Sequence, residues 1–555
     1  MKNCLARKPS NPIKFSLLLP FLISFSAHSA TFETKENIGT AEFNQIEDFS
    51  RYETIESTQN QQIEQVNKNY LQVIQLLKKK QFSKAKTKVL SLIQQNPNQA
   101  IYHNLQALLQ LLDKDLTGAE KSFLIAIGLD ENNIQALTGL AKLAQQNEQF
   151  EQAVHYANTA LALNPYVISA YNVLIDITMQ QQGIDAVESL LQDAHVKVKN
   201  NLKAELAIIQ SLGKLYITKK QPEKLLQIAQ DLVNRNTQET SALSLLAEAQ
   251  LINQDDSGAE LTLRQIITQH PKDTKHLFLL ARLLGKQQGK ETEILSLLDK
   301  AALNSDTPAT LLSYKTTVLI KQKRLQEALS IAQHIEDTYP TQSTGIILKG
   351  DIFLAEKKYQ NALENYQLAY TSSPNTHVLD AMLKILTIQN QHHEAITLLE
   401  SEFKKHKDNM AIQYRLAVTY QNQGQLDLTK KHYEALLIKQ KDNVIVLNNL
   451  ALIYSQQHNA KAIATAKQAY KLAPKSGVVA DTYGYILLKH GNKSESLKVL
   501  KLAVELDSKV TEIQLHLAEA YIANQLKPEA KDILQRLQNK QGVEKEQVMT
   551  LMKQL

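Results

Sequence analysis

The sequence predicts an all-α protein: a right-handed α-solenoid, or superhelix, of about 14 helical hairpins with a C-terminal capping helix. The first observation is the scarcity of helix breakers. The 555 residues include only 16 Gly and 12 Pro, roughly 5% of the chain against an average near 12%, which indicates helices joined by short turns. The second is a repeat of about 34 residues, which favours one array over several globular domains.

Prolines mark the repeat. Those that close a helical segment, such as Pro340 and Pro374, are separated by near multiples of 34 residues. Aligned on these prolines, the array covers residues 66–542. Its units begin at residues 66, 100, 134, 168, 206, 240, 274, 309, 343, 376, 410, 444, 477 and 511.

Small residues recur at two places in these units, which lets two helices approach closely. Two shortened units place the second small residue, Ala186 or Ala462, one position early. The eighth residue is Gly or Ala in ten units: Ala107, Ala141, Gly213, Ala247, Ala281, Gly350, Ala417, Ala451, Gly484 and Ala518. The twentieth is Ala in eight: Ala85, Ala119, Ala153, Ala259, Ala328, Ala362, Ala395 and Ala530.

These units resemble the tetratricopeptide repeat (TPR) family. Two typical ones read YRLAVTYQNQGQLDLTKKHYEALL (Tyr414–Leu437) and LKGDIFLAEKKYQNALENYQLAYTSSP (Leu348–Pro374). The Trp expected near the start of each unit is replaced by Leu, Tyr or His. The units at 168 and 274 fit worst, and the first carries an extra segment, His195–Asn201, where we expect an irregularity. Residues 543–555 place Val548, Leu551, Met552 and Leu555 at helical spacing and are expected to cap the last hairpin.

The N-terminus has the order of a secretory signal peptide. Basic residues 1–14 precede the apolar run Phe15–Phe25 and then small residues, so residues 1–30 are predicted to be removed after Ala30, or alternatively after Ser29. Cleavage removes Cys4, the only cysteine, and lowers the net charge from +6 to near +2, because residues 1–30 carry four basic residues and no acid. No other apolar run is long enough to predict a transmembrane segment.

Residues 31–65 are acidic and polar. We interpret them as a solvated linker or loose helix, with an acidic tether for a basic partner as the alternative. The basic cluster Lys78–Lys80 with Lys84, Lys86 and Lys88 is interpreted as a solvated face, with attraction to an anionic glycan or membrane surface as the alternative. The near-neutral chain and its preference for Lys over Arg disfavour nucleic-acid binding.

No catalytic, cofactor or metal site is predicted, and we expect the protein not to be an enzyme. His392-His393-Glu394 does not have the spacing of a metal motif, and the glycines of Gly285–Thr292 do not have P-loop spacing. There is no room for a catalytic domain outside the repeats.

The resemblance to TPR proteins implies a concave surface lined by the first helix of each unit. Its ninth position alternates in charge through Lys142, Asp176, Lys214, Glu248 and Arg282, and again at Asp351 and Lys384. Two hypotheses follow: a salt-bridge ladder between repeats, which we favour, or a groove for a polar ligand. Fifth-position candidates late in the array are Tyr414, Asn448 and Asp481, and Tyr414, Tyr454, Tyr485 and Tyr521 could stack on sugars if exposed.

The segment Leu447–Leu534 resembles the TPR proteins of bacterial PEP-CTERM (exosortase) systems. The motifs that carry the likeness are Leu447–Ala451, Ala469–Pro474 and Asp481–Leu487. The resemblance implies a periplasmic protein-interaction scaffold in a Gram-negative bacterium, serving envelope or exopolysaccharide and surface-protein assembly, with other envelope proteins as partners. The alternatives are direct polysaccharide binding and a chaperone-like adaptor for outer-membrane assembly.

Overall fold

The computed structural model describes residues 61–538 and 545–555. The predicted signal peptide and the linker before residue 61 lie outside the described residues. Within the described residues the regular structure is entirely helical, so the predicted all-α solenoid class is confirmed. The helices are Gln61–Lys78 (α1), Phe82–Gln95 (α2), Ala100–Leu112 (α3), Leu116–Leu129 (α4), Ile134–Gln146 (α5), Phe150–Leu163 (α6), Ile168–Gln182 (α7), Ile184–Val198 (α8), Leu202–Thr218 (α9), Pro222–Arg235 (α10), Thr240–Ile252 (α11), Asp256–Gln269 (α12), Thr274–Leu284 (α13), Glu291–Leu303 (α14), Ala309–Lys321 (α15), Leu325–Thr338 (α16), Thr344–Ala355 (α17), Tyr359–Ser372 (α18), Thr376–Ile388 (α19), His392–Lys405 (α20), Met410–Asn422 (α21), Leu426–Lys439 (α22), Val444–Gln456 (α23), Ala462–Leu472 (α24), Gly477–Lys489 (α25), Lys493–Leu506 (α26), Thr511–Ala523 (α27), Lys527–Gln538 (α28) and Lys545–Met552 (α29).

The chain divides into two compact units, one ending at Lys290 and the other comprising Glu291–Leu555. The described part of the first unit holds hairpins 1 to 6 (α1–α12) and α13. The second unit holds α14, hairpins 8 to 14 (α15–α28) and α29. Hairpins are numbered by the repeat units of the sequence, and the two helices of each are its A helix and its B helix. Each B helix packs on the A helix that follows it, so each unit is a linear stack with a continuous core.

The small residues of the repeat lie where the two helices of a hairpin touch. All ten Gly and Ala residues at the eighth place are buried. A Cβ atom built on Gly484 would come within 2.7 Å of the Leu500 side chain, so that contact has no room for a larger residue. Ala462 at the shortened unit is buried, whereas Ala186 is only half-buried and its neighbour Val187 takes the core position.

The turns between A and B helices form mostly without glycine. In ten turns a non-glycine residue adopts the left-handed conformation, for example Lys114 with a φ of 62°. The backbone N–H of Asp115 then donates to the carbonyl of Gln110, which satisfies a carbonyl at the helix end. Left-handed non-glycine residues are disfavoured, so the stack must hold these turns in place.

The predicted irregularity around His195–Asn201 is absorbed by longer helices. α8 continues to Val198, and α9 begins at Leu202, four residues before the predicted start of that unit at 206. Gly183, with a φ of 85°, is the single residue between α7 and α8. The extra residues therefore add helical turns instead of a loop.

A buried charge cluster holds these longer helices together. Glu205 on α9 is fully buried. One of its oxygens lies 2.9 Å from Nε2 of His195 on α8, and both oxygens accept from the guanidinium of Arg235 on α10, at 3.1 and 2.5 Å. Because a buried carboxylate is costly unless it is paired, the three residues couple α8, α9 and α10.

The last helix, α29, closes the second unit. Val548 and Leu551 are buried against Leu534 and Leu537 of α28. The Nζ of Lys527 donates to the carbonyl oxygen of Leu555 at 2.6 Å. The apolar end of hairpin 14 is thereby covered.

Candidate functional site

The A helices of hairpins 10 to 14 present one connected surface in the second unit, which we name the A-face. It consists of the second, fifth, sixth and ninth residues of α19, α21, α23, α25 and α27. These positions share one side of a helix because they are three or four residues apart. α23 packs on α25, and α25 packs on α27.

Polar contacts join successive A helices along this surface, each from a fifth residue to the sixth residue of the next helix. Arg415 donates to both oxygens of Asp380, at 2.5 and 2.7 Å. Asn449 donates to the hydroxyl of Tyr414 at 3.3 Å. Nδ1 of His516 lies 2.9 Å from both oxygens of Asp481. Adjacent hairpins are thus tied at matching heights.

Apolar side chains occupy the middle of the A-face. Val418, Leu452 and Tyr485 hold the ninth positions of three consecutive A helices and are half-buried. Ile445 and Val478, at second positions, are 62% and 51% exposed. Apolar residues in register on neighbouring helices form a surface that another apolar segment can cover.

Asn448 lies among these apolar residues and has an unsatisfied acceptor. Its side chain is only 7% exposed, and its Oδ1 has no hydrogen-bond partner among the described residues. A buried acceptor without a donor costs about 1–3 kcal/mol. A ligand donor could recover that cost only if the Asn448 side chain turned toward the surface, because its Oδ1 is closed to solvent.

The C-terminal end of the A-face is strongly polar. The ring of His516 stacks on Tyr485 with centroids 4.0 Å apart, and the Lys489 ammonium lies 4.8 Å from the Tyr485 ring and 2.5 Å from Glu519. Burial opposes protonation of His516, but the charge of Asp481 and its hydrogen bond outweigh burial and raise the pKa of His516. Burial likewise opposes protonation of Lys489, yet Glu519 raises its pKa. Both shifts favour the protonated form of the side chain.

Glu248 and Asp176, two predicted acids of the first unit, both contact residues outside the ninth positions. Glu248 pairs with Lys275 of α13 at 2.8 Å, not with Lys214 or Arg282. Asp176 accepts from Gln145 at 3.1 Å. Lys214 is exposed, Lys142 is half-buried, and Arg282 lies over the Phe278 ring of its own helix, 5.9 Å from its centroid. Glu248 therefore pairs outside the row of ninth positions.

The predicted residues of the second unit divide into two groups. Tyr414, Asn448 and Asp481 lie on the A-face. Lys384 is exposed on α19. Asp351 is half-buried and accepts from the Tyr366 hydroxyl at 2.5 Å within hairpin 9, and burial raises its pKa. Asp351 therefore belongs to the core of its hairpin.

The tyrosines considered for sugar stacking have their rings occupied by the protein. Tyr454 is buried and donates to Glu434 at 2.7 Å. Tyr414 packs on Tyr433, and Tyr521 lies under Lys501. Stacking on sugars would require these contacts to be broken.

Sequence reasoning missed several A-face residues that the structure brings together, including Ile445, Val478, Leu452 and His516. Comparing second, sixth and ninth positions across consecutive units would have found them, because their register predicts one surface. Charged residues at the ninth position, mostly in earlier units, were selected from the sequence instead, because their charges alternate.

The described residues contain no group of three or more His, Cys, Asp or Glu side chains placed to hold a metal ion. In the same part of the chain, no helix combines the length and apolar content needed to cross a membrane. The A-face offers apolar contact, a buried acceptor and paired charges, and this chemistry is suited to binding.

No protein-family model matches the sequence, and no curated protein matches it. Solved helical-repeat structures are similar at low identity. A chain in the structure of Naa15/Naa10 bound to HypK-THB has a TM-score of 0.39 at 12% identity, with 88% of this chain and 96% of that chain covered. Yeast Tom70 has a TM-score of 0.36 at 14% identity, with 80% and 97% covered. A tetratricopeptide repeat protein from Parabacteroides merdae has a TM-score of 0.32 at 15% identity, with 44% and 98% covered.

Proposed function

We propose that this protein is a non-enzymatic scaffold that binds a segment of another protein on the A-face. The observation that carries the proposal is the row Val418, Leu452 and Tyr485, half-buried and in register, beside the unsatisfied Oδ1 of Asn448. Apolar residues of a partner cover the row, and the Asn448 side chain turns toward the surface to accept a backbone or side-chain N–H of the partner. The ion pairs at the two ends, Asp380–Arg415 and Asp481–His516, limit the extent of the apolar surface.

The test compares two substitutions within hairpin 12. Leu452→Glu places a charge in the apolar row, because Leu452 is half-buried on α23. Leu472→Glu is the matched control, because Leu472 is an exposed Leu at the end of the B helix α24 and is not part of the A-face. A photo-crosslinker placed at residue 445 in cells identifies the partner, and its affinity for each purified variant is then measured.

We expect Leu452→Glu to weaken binding by at least tenfold and Leu472→Glu to leave it unchanged, with melting temperatures compared to exclude unfolding. Asn448→Ala should weaken binding less than Leu452→Glu, because it removes only one acceptor. Equal affinities for the Leu452 and Leu472 variants would overturn the proposal.

We also propose that the scaffold acts in the periplasm, in envelope or exopolysaccharide and surface-protein assembly. Support comes from the signal-peptide pattern of residues 1–30 and from the likeness of Leu447–Leu534 to PEP-CTERM-system TPR proteins. A secreted reporter fused after residue 65 should be active outside the cytosol. A reporter that stays cytosolic would contradict the location, and unchanged polysaccharide and surface-protein export after gene deletion would contradict the pathway.

A further inference from the structure

The first hairpin is strongly basic. Its repeat unit, residues 66–99, contains seven Lys and no Asp or Glu, although Glu64 precedes the unit on α1 and Asp113 of the next hairpin pairs with Lys86 at 3.0 Å. Six of the seven, all except Lys88, are exposed. Such a concentration of one sign attracts an acidic segment.

The outer side of hairpin 1 is also polar at positions whose equivalents in later hairpins are buried. At the third place of each later unit, the residue is buried beneath the preceding B helix. In unit 1 that place is held by Lys68, which is exposed, as is Gln72 one turn further along α1. The buried third-place residues of the later units are Tyr102, Ala136, Ala170, Ile208, Ala242, His276, Leu311, Gly345, Val378, Ile412, Val446, Val479 and Ile513. Hairpin 1 thus has a polar outer surface with lysines, and it lacks the apolar packing surface on which a preceding hairpin could stack.

Exposed apolar residues lie among these lysines. Phe82, Lys86 and Leu90 are four residues apart on α2, so they share one side of that helix, and all three are exposed. Leu71 on α1 is exposed three residues after Lys68. Both helices of hairpin 1 therefore offer places for a ligand that carries acidic and apolar side chains.

The chain contains such a segment next to hairpin 1. Residues 42–56 include five acids against the single base Arg51, and they include five large apolar or aromatic residues. The acids are Glu42, Glu47, Asp48, Glu53 and Glu56, and the apolar and aromatic residues are Phe43, Ile46, Phe49, Tyr52 and Ile55. Charge and composition thus match those of the lysine-bearing surface.

We propose that residues 42–56 dock on hairpin 1 of the same chain, with their acids on Lys68 and the Lys78–Lys88 cluster and their apolar residues on Leu71 and Phe82. Only residues 57–60, Ser-Thr-Gln-Asn, separate the segment from α1, and Ser, Thr and Asn favour turns. The 15-residue segment can extend to about 50 Å, which exceeds the length of α1, about 27 Å. The segment can therefore reach the lysines at the far end of α1.

Zero-length carbodiimide crosslinking of the full chain tests this, because it joins a carboxylate to a lysine only when they are in contact. The expected crosslinks connect residues 42–56 to lysines between 68 and 88. A variant with the five acids changed to Gln or Asn should bind poly-L-glutamate at least tenfold more tightly at low salt than the unchanged chain, because its lysines are uncovered.

The matched control neutralises five exposed acids elsewhere in the first unit, Glu131, Glu151, Asp193, Glu223 and Asp231. It should keep the crosslinks and bind poly-L-glutamate as the unchanged chain does. Crosslinks from residues 42–56 mainly to other hairpins, or mainly between isotope-labelled and unlabelled chains, would overturn the proposal. Equal poly-L-glutamate affinity of the two variants would also overturn it.

Discussion

The pair His516–Asp481 shows how one residue ties two hairpins. Both side chains are buried, and the imidazole is packed on Tyr485. The raised pKa of His516 makes the pair pH-dependent. A histidine whose folded pKa is raised contributes stability that is fully present below its unfolded pKa, about 6.5, and that is lost as pH rises through the folded pKa.

Asp481→Asn should therefore lower the free energy of unfolding by about 3 kcal/mol at pH 5.5, since breaking a buried pair is costly. The difference from the unchanged protein should shrink as pH rises toward 8, because the folded histidine loses its proton as pH passes its raised pKa. Urea unfolding at the two pH values measures this. A penalty that grows from pH 5.5 to pH 8 would contradict the assignment.

At the scale of the helix, the same positions make contact between successive hairpins, but the type of contact differs along the array. The A-helix residues Tyr420 and Tyr454 donate to Glu400 and Glu434 of the preceding B helices. At the equivalent place between hairpins 13 and 14, Tyr521 lies under Lys501, 5.4 Å from its ring centroid. The aromatic ring is retained while the hydroxyl loses its role.

Tyr454→Phe should cost about 1 kcal/mol of unfolding free energy, because it removes a hydrogen bond to Glu434 and leaves the ring in place. Tyr521→Phe is the internal control and should change stability by less than about 0.5 kcal/mol, because the cation still meets a ring. Denaturant unfolding of both variants measures the difference. Equal losses would show that the hydroxyl of Tyr454 contributes nothing particular.

At the scale of the molecule, each unit is a stack in which a hairpin contacts its neighbours in sequence. The loops before hairpins 11 and 12 both read Lys-Asp-Asn, at 407–409 and 441–443. Asn409 and Asn443 cap the helices that follow by accepting from backbone N–H groups. One hairpin can therefore be removed with the loop and cap preserved.

Excision of residues 410–443 should give a folded protein with the same helical fraction per residue, because stability in a stack is close to a sum of hairpin and neighbour contributions. Circular dichroism and thermal unfolding measure this. Excision of 410–426, half of a repeat, is the control and should disrupt the second unit, because two helices then meet with mismatched faces. Similar outcomes for both deletions would contradict a modular stack.

The repeat could be predicted from the sequence because its signals are local and periodic. Close helix contact demands Gly or Ala at a fixed place, as at Gly350 and Ala451, and a 34-residue period brings that place back in each unit. Most A-helix starts follow from the same register, but α1 begins at Gln61, inside the predicted linker and five residues before 66, and α9 begins at Leu202, four residues before 206. There the longer helices are held by Glu205, His195 and Arg235, whose contacts depend on three separate helices.

The candidate site could be predicted only in part from the sequence. Tyr414, Asn448 and Asp481 stand at positions that the TPR resemblance marks, but the apolar row at Val418, Leu452 and Tyr485 gains meaning only when their helices lie side by side. The ion pair that a charged residue forms also depends on the tertiary structure. Glu248 is closer to Lys275 than to the ninth-position residues before and after it.

The sequence by itself determined the helical class, the period and the small residues that make stacking possible, because these follow from local sterics and hydrophobic burial. Only the tertiary structure decided which side chains meet across hairpins: Asp481 with His516, Arg415 with Asp380, and the Asn448 Oδ1 with no donor among the described residues. Such pairings depend on the heights and rotations at which helices pack, and a repeat period constrains these without specifying the side chains that end up within hydrogen-bonding distance.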